Sequence, residues 1–331
     1  MAKVAINGLG RIGRAVLKLV EDEPSLELAA VNDLTPLDNL VYLLRYDSVY
    51  GHWNREVGGG ENALTIGSRS VPAFGEKDPA RLPWKKLGID IVFECTGAFR
   101  QEADLARHLD AGAGHAILSA PAKGGDVFSV VHGVNELPAD RNAMFSTASC
   151  TTNCIAPVAE IMARRIGVKK AVMSTIHAYT SSQGIVDSPN KRMERGRAGA
   201  TNIIPTSTGA ASATIAVLPH FADRFDGLAI RVPVPVVSLV DMTVVAESRT
   251  TREAVNGILR EESQTPRYQG VLGVSDDPIV STDIIGDPRA SVVDLLQTLV
   301  VDGDLVKVLA WYDNEWGYAS QMVRQARSLA A

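Results

Sequence analysis

No stretch of about 18 consecutive apolar residues occurs in this 331-residue chain, so a membrane-spanning helix is not expected. Basic runs are also missing. With a net charge of −5 the sequence offers no docking tail for nucleic acid, and anionic ligands would have to be held by individual arginines. Cysteine is scarce: Cys95, Cys150 and Cys154 are too few for a disulfide framework. The opening apolar run, Val4-Ala5-Ile6, is too short for a secretory signal and leads straight into a turn, which makes the cytoplasm the expected location. There is no internal repeat and no low-complexity segment, and no metal site is expected. What is present is the composition of a globular protein, 46% hydrophobic and 21% charged, in a chain long enough for two domains or one large α/β domain.

The most informative stretch is Ser149-Cys150-Thr151-Thr152-Asn153-Cys154. It follows a strand-like run, Met144 to Ala148, and precedes apolar residues at helical spacing: Ile155, Val158, Ala159, Met162 and Ile166. Cys150 is thus expected at a helix start, where N–H groups without intrahelical partners and the positive dipole end favour a thiolate. Such a cysteine is a candidate nucleophile. The same six residues also read as two small buried residues opening a core helix.

The N-terminal third has a different signature. Val4-Ala5-Ile6 ends at Gly8-Leu9-Gly10-Arg11-Ile12-Gly13, and Ile12, Val16, Leu19 and Val20 then recur at helical spacing. A second strand, Ala29-Ala30-Val31-Asn32-Asp33, ends in an acid twenty residues beyond Gly13. This is the dinucleotide-binding pattern: the glycines permit a tight turn and close approach of a pyrophosphate to a helix start, and Asp33 can accept from ribose hydroxyls. Further strands over Ile89–Glu94 and His115–Ser119 place Cys95-Thr96-Gly97 and Ser119 at carboxyl ends, the edge where a parallel sheet receives its cofactor.

Beyond Cys150 the alternation of strand and helix gives way to strand-rich sequence, which marks a domain boundary. Lys170–Ile176 reads as a strand delivering His177, and 178–202 is a long, polar, glycine-rich loop. His177 by itself reads as a satisfied core histidine sooner than as a base, and only its motif context reverses that reading. An Ala-rich helix runs to Leu218. Leu228–Pro233 and Val236–Ala246 read as strands of an antiparallel sheet with two prolines marking an edge or bulge, Arg252–Glu262 as a helix, Leu305–Tyr312 as a strand, and a last helix opens after Asp313.

Taken in order, these segments resemble phosphorylating glyceraldehyde-3-phosphate dehydrogenase along nearly the whole chain. The resemblance is carried by Ile6-Asn7-Gly8-Leu9-Gly10-Arg11-Ile12-Gly13-Arg14, Val31-Asn32-Asp33, Tyr46-Asp47-Ser48-Val49-Tyr50-Gly51, Glu94-Cys95-Thr96-Gly97 and Ala148 to Cys154. It continues through His177-Ala178-Tyr179-Thr180, Ser207-Thr208-Gly209-Ala210-Ala211, Arg231-Val232-Pro233 and Trp311-Tyr312-Asp313-Asn314-Glu315. It implies an α/β protein with a Rossmann domain over 1–149, completed by the C-terminal helix 315–331. It also implies an α+β catalytic domain over 150–314 with a mixed, largely antiparallel sheet. Loop 178–202 resembles the family's S-loop, and a homotetramer is implied.

The resemblance also implies roles. Cys150 would attack an aldehyde, giving a hemithioacetal and then, on hydride loss, a thioester that inorganic phosphate captures, with His177 as base. Gly8, Gly10, Arg11, Ile12, Gly13, Asp33, Thr96, Gly97, Ser119, Asn314 and Tyr318 would hold NAD. Thr180 and Arg231 would hold the substrate's phosphate, and Ser149, Thr151, Thr208, Gly209 and Arg195 the attacking one. Cys154 reads as a packing residue. Asp33 disfavours the 2′-phosphate of NADP, as Pro189 does by resemblance, while Ser188, where some NAD-specific relatives carry Leu, leaves room for some NADP use. Ser182, Gly184, Glu194 and Val236-Val237 depart from the family's pattern. Erythrose-4-phosphate dehydrogenase is the nearest alternative reading; a cysteine hydrolase and a catalytically silent nucleotide-binding protein are the others.

Overall fold

The computed structural model describes residues 1–330, which divide into two compact units. The first comprises Met1–Val130, Leu137–Ala148 and the chain from Ala319 onward; the second comprises Val131–Glu136 and Ser149–Tyr318. The short segment 131–136 joins the second unit through contacts that composition does not reveal. Arg267 Nε donates to the Gly133 carbonyl at 2.6 Å, and a Cβ on Gly133 would stand 2.9 Å from the Tyr268 ring.

In the first unit, Ala2–Asn7 is the centre of a nine-stranded sheet, flanked by Leu26–Asn32 and Ile91–Glu94, both parallel to it. Val4, Ala5 and Ile6 are fully buried, as expected for a parallel strand covered on both faces. His115–Leu118, Met144–Ser146 and Phe128–Ser129 extend the parallel arrangement on one side. On the other, Arg69–Phe74 pairs in parallel, then Ala63–Ile66 and Val57–Gly59 add antiparallel edges. This parallel sheet with crossover helices is a Rossmann-type fold.

The second unit is built on a seven-stranded mixed sheet in the order Ile204–Ser207, Phe225–Val232, Val168–Ala178, Ser238–Ala246, Leu305–Tyr312, Ser291–Val301, Leu272–Ser275. Four of its six pairings are antiparallel, so it is mixed and largely antiparallel. The two proline-flanked strands differ from expectation. Phe225–Val232 runs parallel to Val168–Ala178 and lies in the sheet interior, and Ser238–Ala246 pairs on the other side of that same strand. Pro233 and Pro235 therefore mark neither an edge nor a bulge; they lie in the connection that lets the chain cross over. Strands 272–275 and 291–301 carry no clear period-2 signal and escape a sequence reading, being continuously buried over Leu272–Gly273 and Ser291–Leu295.

The helix Cys150–Arg165 packs against strands 291–301 and 305–312. Ser149 is its N-cap, its Oγ accepting from Thr152 N at 3.0 Å. Every residue from Thr151 to Met162 is buried, including Pro157 inside the helix. The chain reaches this helix through Ala148, which holds φ +56°, a left-handed conformation that costs a non-glycine residue about 1–2 kcal/mol.

Candidate active site

The carboxyl edge of the first unit's sheet is shaped by two glycines. Gly8 has φ +91°, and a Cβ there would lie 2.6 Å from Thr96 N; a Cβ on Gly13 would lie 1.9 Å from the Gly8 carbonyl oxygen. No other residue type fits either position. Gly10 differs: nothing lies within 4 Å of its Cβ position, so its backbone faces open space just before the helix Arg11–Glu21. A cleft of about 390 Å³ lies here, within the roughly 300–1,000 Å³ typical of ligand sites. It brings together Gly8, Gly10, Asp33 and Thr96, and adds Leu34, Lys77 and Phe99, which sequence reasoning missed. Asp33 Oδ2 accepts from Leu9 N at 2.5 Å and Oδ1 from Thr35 N at 2.8 Å, which aims the carboxylate and leaves acceptor capacity for ribose hydroxyls. The open glycine, aimed carboxylate and apolar Leu34 and Phe99 fit a dinucleotide. Arg11 uses its guanidinium elsewhere, on Asp47 at 2.5 Å and over the Tyr50 ring. Arg11, Ile12 and Gly13 do not line this cleft; they form the start of the helix Arg11–Glu21 beside it. Gly97 turns the chain with φ +71°, and Ser119 N donates to the Glu94 carbonyl at 3.0 Å.

Under this edge lies a buried polar network that the sequence does not announce. Asn7 Nδ2 donates to Glu94 Oε2 at 2.6 Å, Asn32 Nδ2 to Asn7 Oδ1 at 2.7 Å, and Glu76 N to Asn32 Oδ1 at 2.8 Å. Thr96 donates to Glu94 Oε1 through both its N–H, at 2.8 Å, and its hydroxyl. Trp84 Nε1 donates to His108 Nδ1 at 3.1 Å, and His108 Nε2 lies 3.1 Å from Glu94 Oε2. Because an indole N–H only donates, the His108 proton sits on Nε2 and points at Glu94. The turn at Thr96 is thus held by a carboxylate with no solvent exposure.

In the second unit, the strand Val168–Ala178 presents His177 to the first residue of the Cys150 helix, with Nε2 3.6 Å from Cys150 Sγ. His177 is buried, and its Nδ1 lies 2.7 Å from the Ala178 carbonyl oxygen and 2.8 Å from Arg231 Nη1. Burial and then the Arg231 guanidinium lower His177 to about 3, with the Ala178 carbonyl acting the other way and Arg195 adding a smaller push. For Cys150 the helix start favours a thiolate, but burial pushes the thiol up, against the Arg231 charge and the Thr151 hydroxyl and N–H. Cys154 is fully buried, with its sulfur 3.6 Å from Ser291 Oγ, and burial pushes its thiol up to about 12, which is the behaviour of a packing residue. Tyr312, missed in the sequence, shares hydrogen bonds of 2.8 Å with both Thr151 Oγ1 and Thr175 Oγ1, and its ring meets His177 edge-on.

The residues expected to hold anions fall on four pieces of this unit: the start of the helix Cys150–Arg165, the S-loop, the turn before the helix Ala210–Val217 and the strand Phe225–Val232. Arg195 is moored to the strand Ile204–Ser207, donating from Nε to Thr206 Oγ1 at 3.0 Å and from Nη2 to the Ser207 carbonyl at 2.9 Å. Burial, then Arg231 and Arg192, hold its guanidinium below the ordinary value; such crowded like charges favour an anion. Thr208 Oγ1 accepts from Ala210 N at 3.1 Å, and Gly209 is the N-cap of the helix Ala210–Val217, with nothing within 4 Å of its Cβ position. Thr180 Oγ1 and Ser182 Oγ share a hydrogen bond of 2.8 Å in the S-loop, so Ser182 supports Thr180. Glu194, another departure from the family's pattern, accepts from Thr206 Oγ1 at 2.7 Å. Ser149 is occupied as a cap, and Thr151 is buried against Tyr312 and turned toward Cys150. Asn314 is buried, its Oδ1 accepting from Ser238 Oγ at 3.1 Å, while Ser238 Oγ in turn accepts from Ala178 N at 3.1 Å. Next to Ser238, Val237 holds φ +67°, an outlier for a β-branched residue. Tyr318 is buried in the same unit.

A Rossmann-type unit with a dinucleotide cleft and a second unit carrying a paired cysteine and histidine define an NAD-dependent oxidoreductase. Residues 2–102 match the family profile of the glyceraldehyde 3-phosphate dehydrogenase NAD binding domain, and residues 149–314 that of its C-terminal domain. The chain is 46% identical over 330 residues to glyceraldehyde-3-phosphate dehydrogenase 1 of Bacillus subtilis, covering 99% of this chain and 98% of that protein. It is 44% identical to the glyceraldehyde-3-phosphate dehydrogenases of Borreliella burgdorferi and Geobacillus stearothermophilus, over 99% of this chain and 99% and 98% of theirs. The chain belongs to the glyceraldehyde-3-phosphate dehydrogenase family.

Proposed function

We propose that the chain oxidises D-glyceraldehyde 3-phosphate with NAD and inorganic phosphate to 1,3-bisphosphoglycerate. The observation that carries this reading is the cluster Cys150, His177 and Arg231: a sulfur 3.6 Å from an imidazole that itself lies 2.8 Å from a guanidinium. Cys150 attacks the aldehyde carbon to form a hemithioacetal, and His177 takes the hydroxyl proton as the carbon is oxidised to a thioester. NAD, when bound, supplies the hydride acceptor. Arg231 and Thr180 hold the substrate's phosphate. Arg195, Thr208, Gly209, Ser149 and Thr151 serve the attacking phosphate, which releases the Cys150 thiolate and the acyl phosphate. Thr151 contributes through its N–H and its contact with Cys150. Asp33 orients the adenosine ribose, the glycine turn takes the pyrophosphate, and Asn314 and Tyr318 orient the nicotinamide.

The protein acts as a cytoplasmic homotetramer in this reading. Support for assembly comes from the S-loop and its end, where Ile185, Val186, Met193 and Ile203 are 66%, 73%, 88% and 70% exposed, an apolar surface that a monomer would leave in water. Absorbance at 340 nm tests the reaction with glyceraldehyde 3-phosphate or erythrose 4-phosphate, with NAD or NADP, with and without inorganic phosphate. NADH formation that needs the three-carbon substrate and phosphate together is the expected result. Preference for erythrose 4-phosphate, or turnover indifferent to phosphate, would overturn it. Light scattering on the same sample reads the assembly, and a monomer would remove the homotetramer.

A further inference from the structure

The hydrogen bonds that converge on Glu94 have a fixed polarity. Groups at the outer ends of the network can only donate: the backbone N–H of Glu76, the backbone N–H of Thr96 and the indole N–H of Trp84. Glu76 N donates to Asn32 Oδ1 at 2.8 Å, which turns Asn32 Nδ2 toward Asn7 Oδ1 at 2.7 Å and in turn Asn7 Nδ2 toward Glu94 Oε2 at 2.6 Å. Trp84 Nε1 donates to His108 Nδ1 at 3.1 Å, which leaves the ring proton on Nε2, 3.1 Å from the same oxygen. Thr96 donates to Glu94 Oε1 from its N–H, at 2.8 Å, and from its hydroxyl, whose oxygen accepts from Ala98 N at 3.1 Å. Only donors therefore arrive at position 94, and a carboxylate is the side chain that accepts on both of its oxygens. A glutamine there would leave half of those donors facing an NH₂ group.

Both walls of the glycine turn depend on this carboxylate. Asn7 immediately precedes Gly8, and its carbonyl accepts from Cys95 N at 2.7 Å. Thr96 stands against Gly8 from the other side: a Cβ on Gly8 would lie 2.6 Å from Thr96 N and 2.7 Å from Thr96 Cα. Asn7, Gly8 and Thr96 line the cleft, whereas Glu94 is fully buried and does not. Its charge is engaged by the surrounding donors and is not presented to an anionic ligand.

We propose that Glu94 is a positioning residue for the diphosphate of the dinucleotide: held by His108, its carboxylate fixes Asn7 and Thr96 on the two sides of Gly8, and with them the shape of the turn on which the diphosphate rests. The inference rests on the reading of this cleft as the dinucleotide site, and adds to it Glu94 and His108, which line no part of the cleft. The physical gain is preorganisation, since a turn already held in its bound shape loses less freedom when the ligand arrives. A ligand that carries the diphosphate feels that shape. Adenosine, held through its ribose by Asp33 at the neighbouring strand end, does not. The chemistry at Cys150 lies on other elements and is left intact.

Calorimetry on the full-length enzyme tests this with NAD, with ADP-ribose and, by competition against NAD, with adenosine. Glu94→Gln should raise Kd for NAD and ADP-ribose alike by about tenfold, the scale of lost hydrogen bonds to a charged acceptor, and leave adenosine unchanged. KM for NAD should rise in parallel, while kcat and the KM for glyceraldehyde 3-phosphate stay as in the parent enzyme. Glu94→Gln strands buried donors and can unfold the protein, so a milder pair at position 108 asks the same question. His108→Leu removes the donor to Glu94 and should weaken both diphosphate ligands several-fold. His108→Gln, whose amide can accept from Trp84 and donate to Glu94, should restore them. A purely structural network would lower the urea midpoint and leave every Kd of the folded protein as it was. An unchanged Kd for NAD in folded Glu94→Gln or His108→Leu, a loss shared equally by adenosine, or a His108→Gln variant no tighter than His108→Leu would each overturn the proposal. A parent enzyme that binds neither NAD nor ADP-ribose would instead overturn the reading of the cleft.

Discussion

Cys150 Sγ and His177 Nε2 stand 3.6 Å apart, one on the first residue of a buried helix and the other near the end of an eleven-residue strand. Neither element can shift easily, because helix residues 151–162 are all buried and the strand is paired on both sides. The sulfur and the imidazole are therefore positioned by the core of the unit. Cys150→Ser should lower NADH formation by about 10³-fold or more, on the scale of removing a covalent nucleophile, while NAD binding by calorimetry persists. Residual turnover within tenfold of the parent enzyme would show that the sulfur is not the nucleophile.

His177→Asn should reduce kcat by about 10² to 10⁴, the usual share of a general base, and flatten the acid limb of the pH–rate profile. A variant that loses only affinity for glyceraldehyde 3-phosphate would assign His177 to binding.

The same histidine makes stability depend on pH. Burial and Arg231 lower it to about 3 in the folded protein, against about 6.5 in an unfolded chain. Between these values the unfolded state binds a proton that the native state refuses, so stability should fall as pH drops from about 6.5 to 3. Urea denaturation across that range should show a shallower decline for His177→Asn; equal slopes would mean that His177 protonates normally when folded.

Asp33 faces the dinucleotide cleft with its carboxylate aimed by Leu9 N and Thr35 N. Asp33→Ser should lower kcat/KM with NAD by roughly 10- to 100-fold, from the loss of about 1.5–3 kcal/mol in hydrogen bonds to a charged acceptor. It should also shift preference toward NADP. Measuring both cofactors decides it, and an unchanged ratio would place the ribose elsewhere.

Trp84→Phe keeps an aromatic ring in the fully buried Trp84 site but leaves His108 Nδ1 without its donor. A buried acceptor left unsatisfied costs about 1–3 kcal/mol, and the smaller ring adds a cavity. The urea midpoint should fall accordingly; no change would mean that the network tolerates the loss.

Local chemistry made much of this protein legible in its sequence. Gly13 is required by its close contact with the Gly8 carbonyl, Asp33 closes the next strand, and Ser149 caps the helix that follows it. Such features depend on neighbours along the chain, so their spacing announces them. By the same local logic the strand ending at Ala178 delivers His177. Only the tertiary structure decided which distant groups meet. Phe225–Val232 lies parallel to Val168–Ala178 because the long connection over 179–224 brings the chain back in the same direction, and that register sets Arg231 beside His177. Glu94 is shared by Asn7, Thr96 and His108 because three separate segments converge on it, and Tyr312 reaches Thr151 from 161 positions away. Hydrogen bonds of this kind are made by side chains whose separation in sequence carries no periodic signal. The sequence by itself determined the chemistry of the site, and the packing of the sheet determined which groups surround His177, because register between distant strands is set by the whole core.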